Sequence, residues 1–168
     1  MMLRNHQWLQ KQLDFLLTKY FADLTITSPI EIKFGREAKY RFGSIKLYRN
    51  KKQETINSKQ KFRVSGLKFK FSSLVRKQPQ KSIITITSMF AKETIPSKVV
   101  EYTITHELCH YAHGFSSTNK RLFKFPHHGG VVNHELTKRG AHDLIGVYKR
   151  WLKTYRQAIL KKRIKLSL

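Results

Sequence analysis

The sequence predicts an α+β fold, with helical segments near both ends of the chain and short strands between them. Apolar residues recur at spacings of three and four near the N-terminus and again in the second half, whereas β-branched and alternating segments lie between. Of the 168 residues, 40% are hydrophobic and 12% aromatic, which is typical of a folded protein. No repeat or linker-like stretch divides the chain, so we expect a single domain over residues 1–168 with a small antiparallel or mixed sheet.

A helix followed by a sheet region is predicted for the first half of the chain. Residues 3–21 have apolar side chains at helical spacing, among them Trp8, Leu9, Leu13, Leu16, Leu17 and Tyr20. The segments 28–34 and 39–49 read as strands, the first of them after a proline and the second containing a possible bend at Gly43. The β-branched run "IITITS" at 83–88 completes the sheet region, 28–88.

A basic insertion of about residues 50–81 lies within this sheet region. Its first part, 50–61, is polar and predicts a loop. In the stretch that follows, Leu67, Phe69 and Phe71 alternate with lysines, which indicates a strand with one apolar and one basic face. We expect the two phenylalanines to belong to the core rather than to a base-stacking surface.

Three helices are predicted for the second half. The first covers about residues 97–113, with Pro96 and Ser97 at its start and Gly114 at its end. The second is a short helix in the segment 127–139, and Gly140 ends it. A long, basic, amphipathic helix covers about 143–163, with Leu144, Tyr148, Trp151, Leu152, Tyr155 and Ile159 at helical spacing.

Charge is the most unusual property of the composition. Lys and Arg number 34 against 10 Asp and Glu, which gives a formal net charge of +24. A field of this size favours anionic partners, and nucleic acid is the partner we expect ahead of an acidic protein or an anionic membrane surface.

The N-terminal segment and the cysteine content bear on localisation. Charged residues interrupt the N-terminal apolar segment. The chain has a single cysteine, Cys109, which excludes an internal disulfide. We therefore expect a cytoplasmic protein without a membrane span. Association with the nucleoid is compatible with this expectation.

The stretch "THELCHYAHG" at 105–114 contains the pattern HExxH. On a helix of about 100° per residue, His106 and His110 lie about 40° apart, on a side different from that of Ile104, Leu108 and Tyr111. Two such histidines bind zinc, and the glutamate that follows the first one, here Glu107, acts as a base toward the zinc-bound water. We therefore expect one zinc ion here, with Cys109 packed nearby as a small apolar residue.

A catalytic zinc takes three protein ligands, so a third must come from elsewhere in the chain. The extended pattern HExxHxxGxxH fails, because His113 occupies its glycine position and Ser116 its last histidine position. We expect His113 to orient a ligand or to face solvent, and Asn133 is a candidate for supporting a ligand imidazole. The downstream candidates for the third ligand are His113, His127, His128, His134, Glu135 and His142. Of these, His134 and His142 are expected at the surface, while Glu135 and His127 remain rivals of His128.

The segment "YTITHELCHYAHG" together with "HHGGVVNHEL" resembles the SprT-like zinc metalloprotease domain, the family of the Spartan catalytic domain. That family pairs an HExxH helix with a later histidine-glycine step, which His128 and Gly129 match. The resemblance covers chiefly residues 82–140 and implies a zincin-like fold, His106, His110 and His128 as zinc ligands, and Glu107 as the catalytic base.

The resemblance also implies a function, namely a zinc-dependent endopeptidase acting on proteins bound or crosslinked to DNA. The chain departs from the family in two ways: Val132 stands where a bulky aromatic residue is usual, and no C-terminal cysteine zinc ribbon is present. The alternatives are a basic nucleic-acid-binding module with a structural or vestigial zinc, and a zinc hydrolase with a non-peptide substrate. Glu107 favours an enzyme, because a structural zinc site needs no base.

Overall fold

The structure is a computed structural model that describes residues 3–49 and 80–166. It is α+β, as the sequence predicts. The elements in chain order are α1 (His6–Tyr20), β1 (Ile30–Phe34), β2 (Gly43–Arg49), β3 (Gln80–Ile86), α2 (Ser97–Ala112), α3 (Val131–Lys138) and α4 (His142–Leu166). Two short 3-10 turns cover Ser88–Ala91 and His128–Gly130. The predicted loop at 50–61 and the strand with Phe69 and Phe71 lie outside the described residues.

The three strands form a mixed sheet in the order β1-β3-β2. Strand β1 runs parallel to β3, and β2 runs antiparallel to it. Ile84 of the central strand pairs with Ile32 on one side and Ile45 on the other, and it is fully buried. Ile84 and Ile86 share one face of β3 and are fully buried, whereas Thr85 on the other face is half-buried, as the alternation in "ITIT" predicts.

Helix α1 covers part of the sheet with the face that its spacing predicts. Its side chains Leu9, Leu13 and Leu16 are buried in the core. The helix begins after Asn5, whose side-chain oxygen accepts a hydrogen bond of 2.9 Å from the backbone N–H of Trp8. Asn5 is thus the N-cap of the helix and provides an acceptor for an otherwise unpaired N–H group. The helix begins three residues later than predicted.

Helix α2 runs through the middle of the fold and packs against α1, β2, β3, α3 and α4. Eleven of its 16 residues are buried, and they include Glu107 and His110. The expectation that its histidines lie on a side away from the buried stripe is therefore wrong for His110, which is only 7% exposed. A helix with neighbours on nearly every side buries polar positions as well as apolar ones, so its periodicity does not show where solvent lies.

Helices α3 and α4 also pack against α2. Gly140 adopts a φ of 77° after the end of α3, a left-handed conformation that favours glycine and turns the chain into α4. Helix α4 then packs aromatic side chains against Phe42 and Phe90, with Trp151 within 5.4 Å and 5.6 Å of the two rings, respectively. None of the described helices has the length and apolar character needed to cross a membrane.

Candidate metal centre

Three histidines meet at the surface of α2. His106 and His110 stand one turn apart on the helix, with ring centres 4.8 Å apart. His127, from the segment between α2 and α3, lies 5.2 Å from the first ring and 4.6 Å from the second. One nitrogen from each ring lies within 4.8 Å of the others. Two nitrogen ligands of one tetrahedral zinc are roughly 3.3 Å apart. The three imidazole rings would therefore need to move only slightly toward one another to bind one ion.

The third member of this cluster is His127, not the predicted His128. His128 opens the 3-10 turn that leads into α3 and is exposed, with its ring 6.4 Å from that of Phe125. Gly129 and Gly130 follow it with φ values of 62° and 71°. The chain therefore reverses direction just after the histidine pair, and only the first of the two side chains is directed at α2.

The other predicted candidates lie elsewhere. Glu135 accepts a 2.7 Å hydrogen bond from the Nε of Arg139, and its other oxygen is 3.9 Å from the Nε2 of His113. His113 is 2% exposed and packs edge-on against Phe123, so it does not face solvent. The predicted surface histidines His134 and His142 are exposed.

The ligand candidates on α2 are neutral at neutral pH. Burial, followed by the charge of His110 and that of His127, lowers the pKa of His106 to about 3. Burial, followed by His127 and His113, lowers the pKa of His110 to about 4. The Nδ1 of His110 is buried without a hydrogen-bond partner among the described residues. Neutral imidazoles with free lone pairs are the donors that zinc accepts, whereas magnesium and calcium prefer oxygen. The residues present therefore fit a zinc ion.

Glu107 lies in the same cleft and is 6% exposed. Burial raises the pKa of its carboxyl to about 7, while the backbone of Ile45 and the charge of Arg41 act in the opposite direction. A side chain that titrates near the working pH can both accept and return a proton, which is the property a general base needs. Its carboxylate lies against the start of β2, where a Cβ on Gly43 would be 2.8 Å from Oε1.

The cleft has a volume of about 390 Å³. Its walls come from the start of β2, from α2 and from α4, in addition to His127. The lining residues are Tyr40, Arg41, Phe42, Gly43, Tyr102, Thr103, His106, Glu107, His110, His127 and Tyr148.

No family model, curated protein or solved structure matches this chain.

Sequence reasoning missed several residues that shape this cleft. Gly43 carried only the signal of a possible bend, and Tyr148 carried only the signal of an apolar helix face. Tyr102 stacks on Tyr148 at 4.0 Å and lies 5.9 Å from the ring of His106. Its hydroxyl donates to Asn133, so this asparagine supports the tyrosine rather than a histidine. Cys109 is fully buried in the core, as predicted.

Proposed function

We propose that this protein is a zinc-dependent endopeptidase of the SprT-like type, with a zincin-like site, acting on proteins associated with DNA. The observation that carries the proposal is the combination of three histidine nitrogens within 4.8 Å of one another and a buried glutamate in the same cleft. A structural zinc is usually enclosed by four ligands, whereas a catalytic zinc keeps three and leaves a position for water. Three histidines in an open cleft correspond to the catalytic arrangement.

His106, His110 and His127 would hold the zinc ion. The resemblance to the SprT-like family implies His128 as the third ligand, but the geometry favours its neighbour. When bound, zinc supplies Lewis acidity and lowers the pKa of water toward about 7. Glu107, directly after the first ligand, takes the proton of the attacking water and later delivers it to the leaving amine. The raised pKa of this carboxyl, about 7, suits both transfers.

The substrate class in this proposal rests on charge. With a net charge of +24, the protein attracts polyanions, and proteins that cover DNA are then brought to the cleft by the same field. The same charge also favours a second candidate, a nucleic-acid-binding module in which zinc is structural. The two candidates differ in whether Glu107 has a chemical task.

The test is the substitution Glu107→Gln, which keeps the shape of the side chain and removes its basicity. We expect the variant to retain one zinc per chain by elemental analysis. Its cleavage of casein, or of itself, in the presence of DNA should fall by about 100-fold or more, since general-base catalysis contributes about 10²–10⁴-fold. Glu101→Gln, on the same helix but outside the cleft lining, is the matched control and should remain active.

Two results would contradict the proposal. If Glu107→Gln cleaved as fast as the wild type, this carboxylate would not be the base. If the wild type bound zinc and DNA but cleaved no protein, and a chelator lowered only its thermal stability, the binding module would be the better description.

A further inference from the structure

A second cavity adjoins the cleft that contains the three histidines, on the side of α4. We call the cleft with the histidines the metal cleft. The second cavity has a volume of about 340 Å³. Three of its residues, Tyr40, Phe42 and Tyr148, also line the metal cleft, so the two cavities share a wall. The described residues that line this cavity, which we call the aromatic pocket, are Lys39, Tyr40, Phe42, Tyr148, Leu152, Tyr155, Arg156, Ile159 and Leu160.

The walls of the aromatic pocket are held by contacts that do not require a ligand. The ring of Tyr155 stacks on Trp151 at 4.9 Å and meets Phe42 edge-on at 5.6 Å. Its hydroxyl donates to the backbone carbonyl of Lys39 at 3.2 Å, which ties α4 to the segment before β2. A pocket whose walls are already ordered binds its occupant without a further loss of side-chain entropy.

The lining combines apolar walls with positive charge. Among the described residues of the pocket, Lys39 and Arg156 are the charged ones and none is acidic. Both are exposed, so their charges lie at the rim, where an occupant enters. An occupant with an apolar group next to a carboxylate would pack against the apolar walls and pair its charge with the basic residues at the rim.

We propose that the aromatic pocket binds a large apolar side chain of a peptide substrate whose neighbouring residue is acidic. This inference rests on the proposed peptidase function and states which sequences that function selects. A polypeptide lying across the three histidines passes the shared wall formed by Tyr40, Phe42 and Tyr148, and its next side chains reach the pocket. The occupant therefore sets which peptide bond lies over the histidines.

A peptide side chain fits this pocket better than a nucleobase does. A base binds by stacking on an open aromatic face. In the wall of the pocket, Tyr155 is stacked on Trp151 and Tyr148 on Tyr102, so each ring has one face covered by its partner. The aliphatic side chains Leu152, Ile159 and Leu160 of α4 also line the pocket and suit an apolar group held on several sides.

The first test maps cleavage sites in a peptide mixture by mass spectrometry. We expect one position beside the cleaved bond to be enriched in Phe, Tyr, Trp and Leu, next to Asp or Glu. A peptide with Phe at that position should exceed its Ala counterpart about tenfold or more in kcat/KM, as apolar pockets discriminate by that much. Cleavage without such a preference would overturn the inference while leaving the peptidase proposal intact.

Two variants separate the roles of the rim and the walls. Arg156→Glu should replace the preference for acidic neighbours by one for Lys and Arg, with the apolar preference retained. Leu160→Asp should lose the apolar preference, and the fold should tolerate it because this side chain is 56% exposed. Lys11→Glu, a charge reversal on α1 outside both linings, is the matched control and should leave both preferences unchanged. An unchanged cleavage pattern in both pocket variants would overturn the inference.

A binding measurement keeps the inference testable if no cleavage is found. Zinc-loaded Glu107→Gln should bind a fluorescein-labelled peptide containing Phe-Asp more tightly than the same peptide with Ala-Asn, and adding both Arg156→Glu and Leu160→Asp should abolish the difference. Selective binding by this variant, together with no cleavage by the wild type, would support the pocket and contradict the peptidase. If Arg156→Glu and Leu160→Asp instead weakened a labelled single-stranded oligonucleotide and left peptide binding unchanged, the pocket would be a nucleic-acid site and the inference would be overturned.

Discussion

At the scale of single residues, the metal centre depends on which of two adjacent histidines is directed at α2. The ring centre of His127 lies within 5.2 Å of those of both helix histidines, whereas the next residue, His128, lies outside this cluster. Neighbouring residues in a turn point in different directions, so a shift of one position separates a ligand from a surface residue. The environment also decides protonation, because burial keeps His106 and His110 neutral and able to donate their lone pairs.

Alanine substitutions at the two positions distinguish the possible ligand sets. His127→Ala should weaken zinc binding by more than about 100-fold, beyond what the loss of an outer hydrogen-bond partner costs. His128→Ala should change it little, and so serves as the matched control. Competition with a chromogenic chelator measures both affinities. The opposite order would show that His128, as the family resemblance implies, is the ligand.

At the scale of elements, the site depends on the close approach of β2 to α2. The strand begins at Gly43, where a Cβ would lie 2.7 Å from the Cγ2 of Thr103 and 2.8 Å from the Oε1 of Glu107. Contacts this short do not occur at real Cβ atoms, so the strand can pass the helix here only because the residue is glycine. The same approach excludes water from the carboxylate and contributes to its raised pKa.

Gly43→Ala should therefore disturb the site as well as the packing. We expect a loss of about 1–3 kcal/mol in the free energy of unfolding, as is typical of overpacking, together with slower cleavage because the carboxylate of Glu107 must move. Urea unfolding and a peptidase assay measure the two effects.

Gly146→Ala is the control for this substitution. Its Cβ would meet only the side chain of Arg150, at 3.5 Å, within the helix α4. Alanine should stabilise that helix by about 0.5–1 kcal/mol relative to glycine and leave activity unchanged. If Gly43→Ala behaved like this control, the close approach of strand and helix would have no functional consequence.

At the scale of the whole molecule, charge decides which partners approach the cleft. The basic residues Lys120, Arg121 and Lys124 are exposed in the segment that connects the two parts of the metal centre. Arg121 lies over the ring of Phe115 at 4.6 Å, and this ring is 6.2 Å from that of His110. Arg121 is thus linked to the candidate metal centre through the ring of Phe115. An anionic partner bound by this arginine would lie beside the three histidines.

DNA binding should follow from this surface and depend on salt. The affinity for a DNA duplex should fall linearly with the logarithm of salt concentration, with a slope of about −0.9 for each phosphate contact. Lys120→Glu combined with Lys124→Glu should make this slope shallower by about 2, one unit for each lost contact. Fluorescence anisotropy over a salt series measures the slopes.

Lys11→Glu combined with Lys33→Glu changes the net charge by the same amount on α1 and β1 and provides the control. Equal weakening by the two double variants would mean that the overall field attracts DNA and that the segment near the metal centre makes no particular contact.

The sequence by itself determined the helices, the described strands and the placement of two candidate metal ligands together on α2. These features depend on residues a few positions apart: apolar spacing predicts a helix or a strand, and a spacing of four places His106 and His110 together. Glu107 follows from the same local pattern. The boundaries of the described elements differ from the prediction by a few residues because caps such as Asn5 decide where a helix begins.

Only the tertiary structure decided the third histidine, the burial of α2 on nearly every side, the contact of Gly43 with Glu107, and the aromatic pocket. Each of these depends on the direction of a side chain in a turn or on residues distant in sequence, such as Phe42 and Tyr155. Packing between elements sets these relations, and local periodicity carries no information about them. The pattern HExxH could therefore be read from the chain, whereas the cleft around it could not.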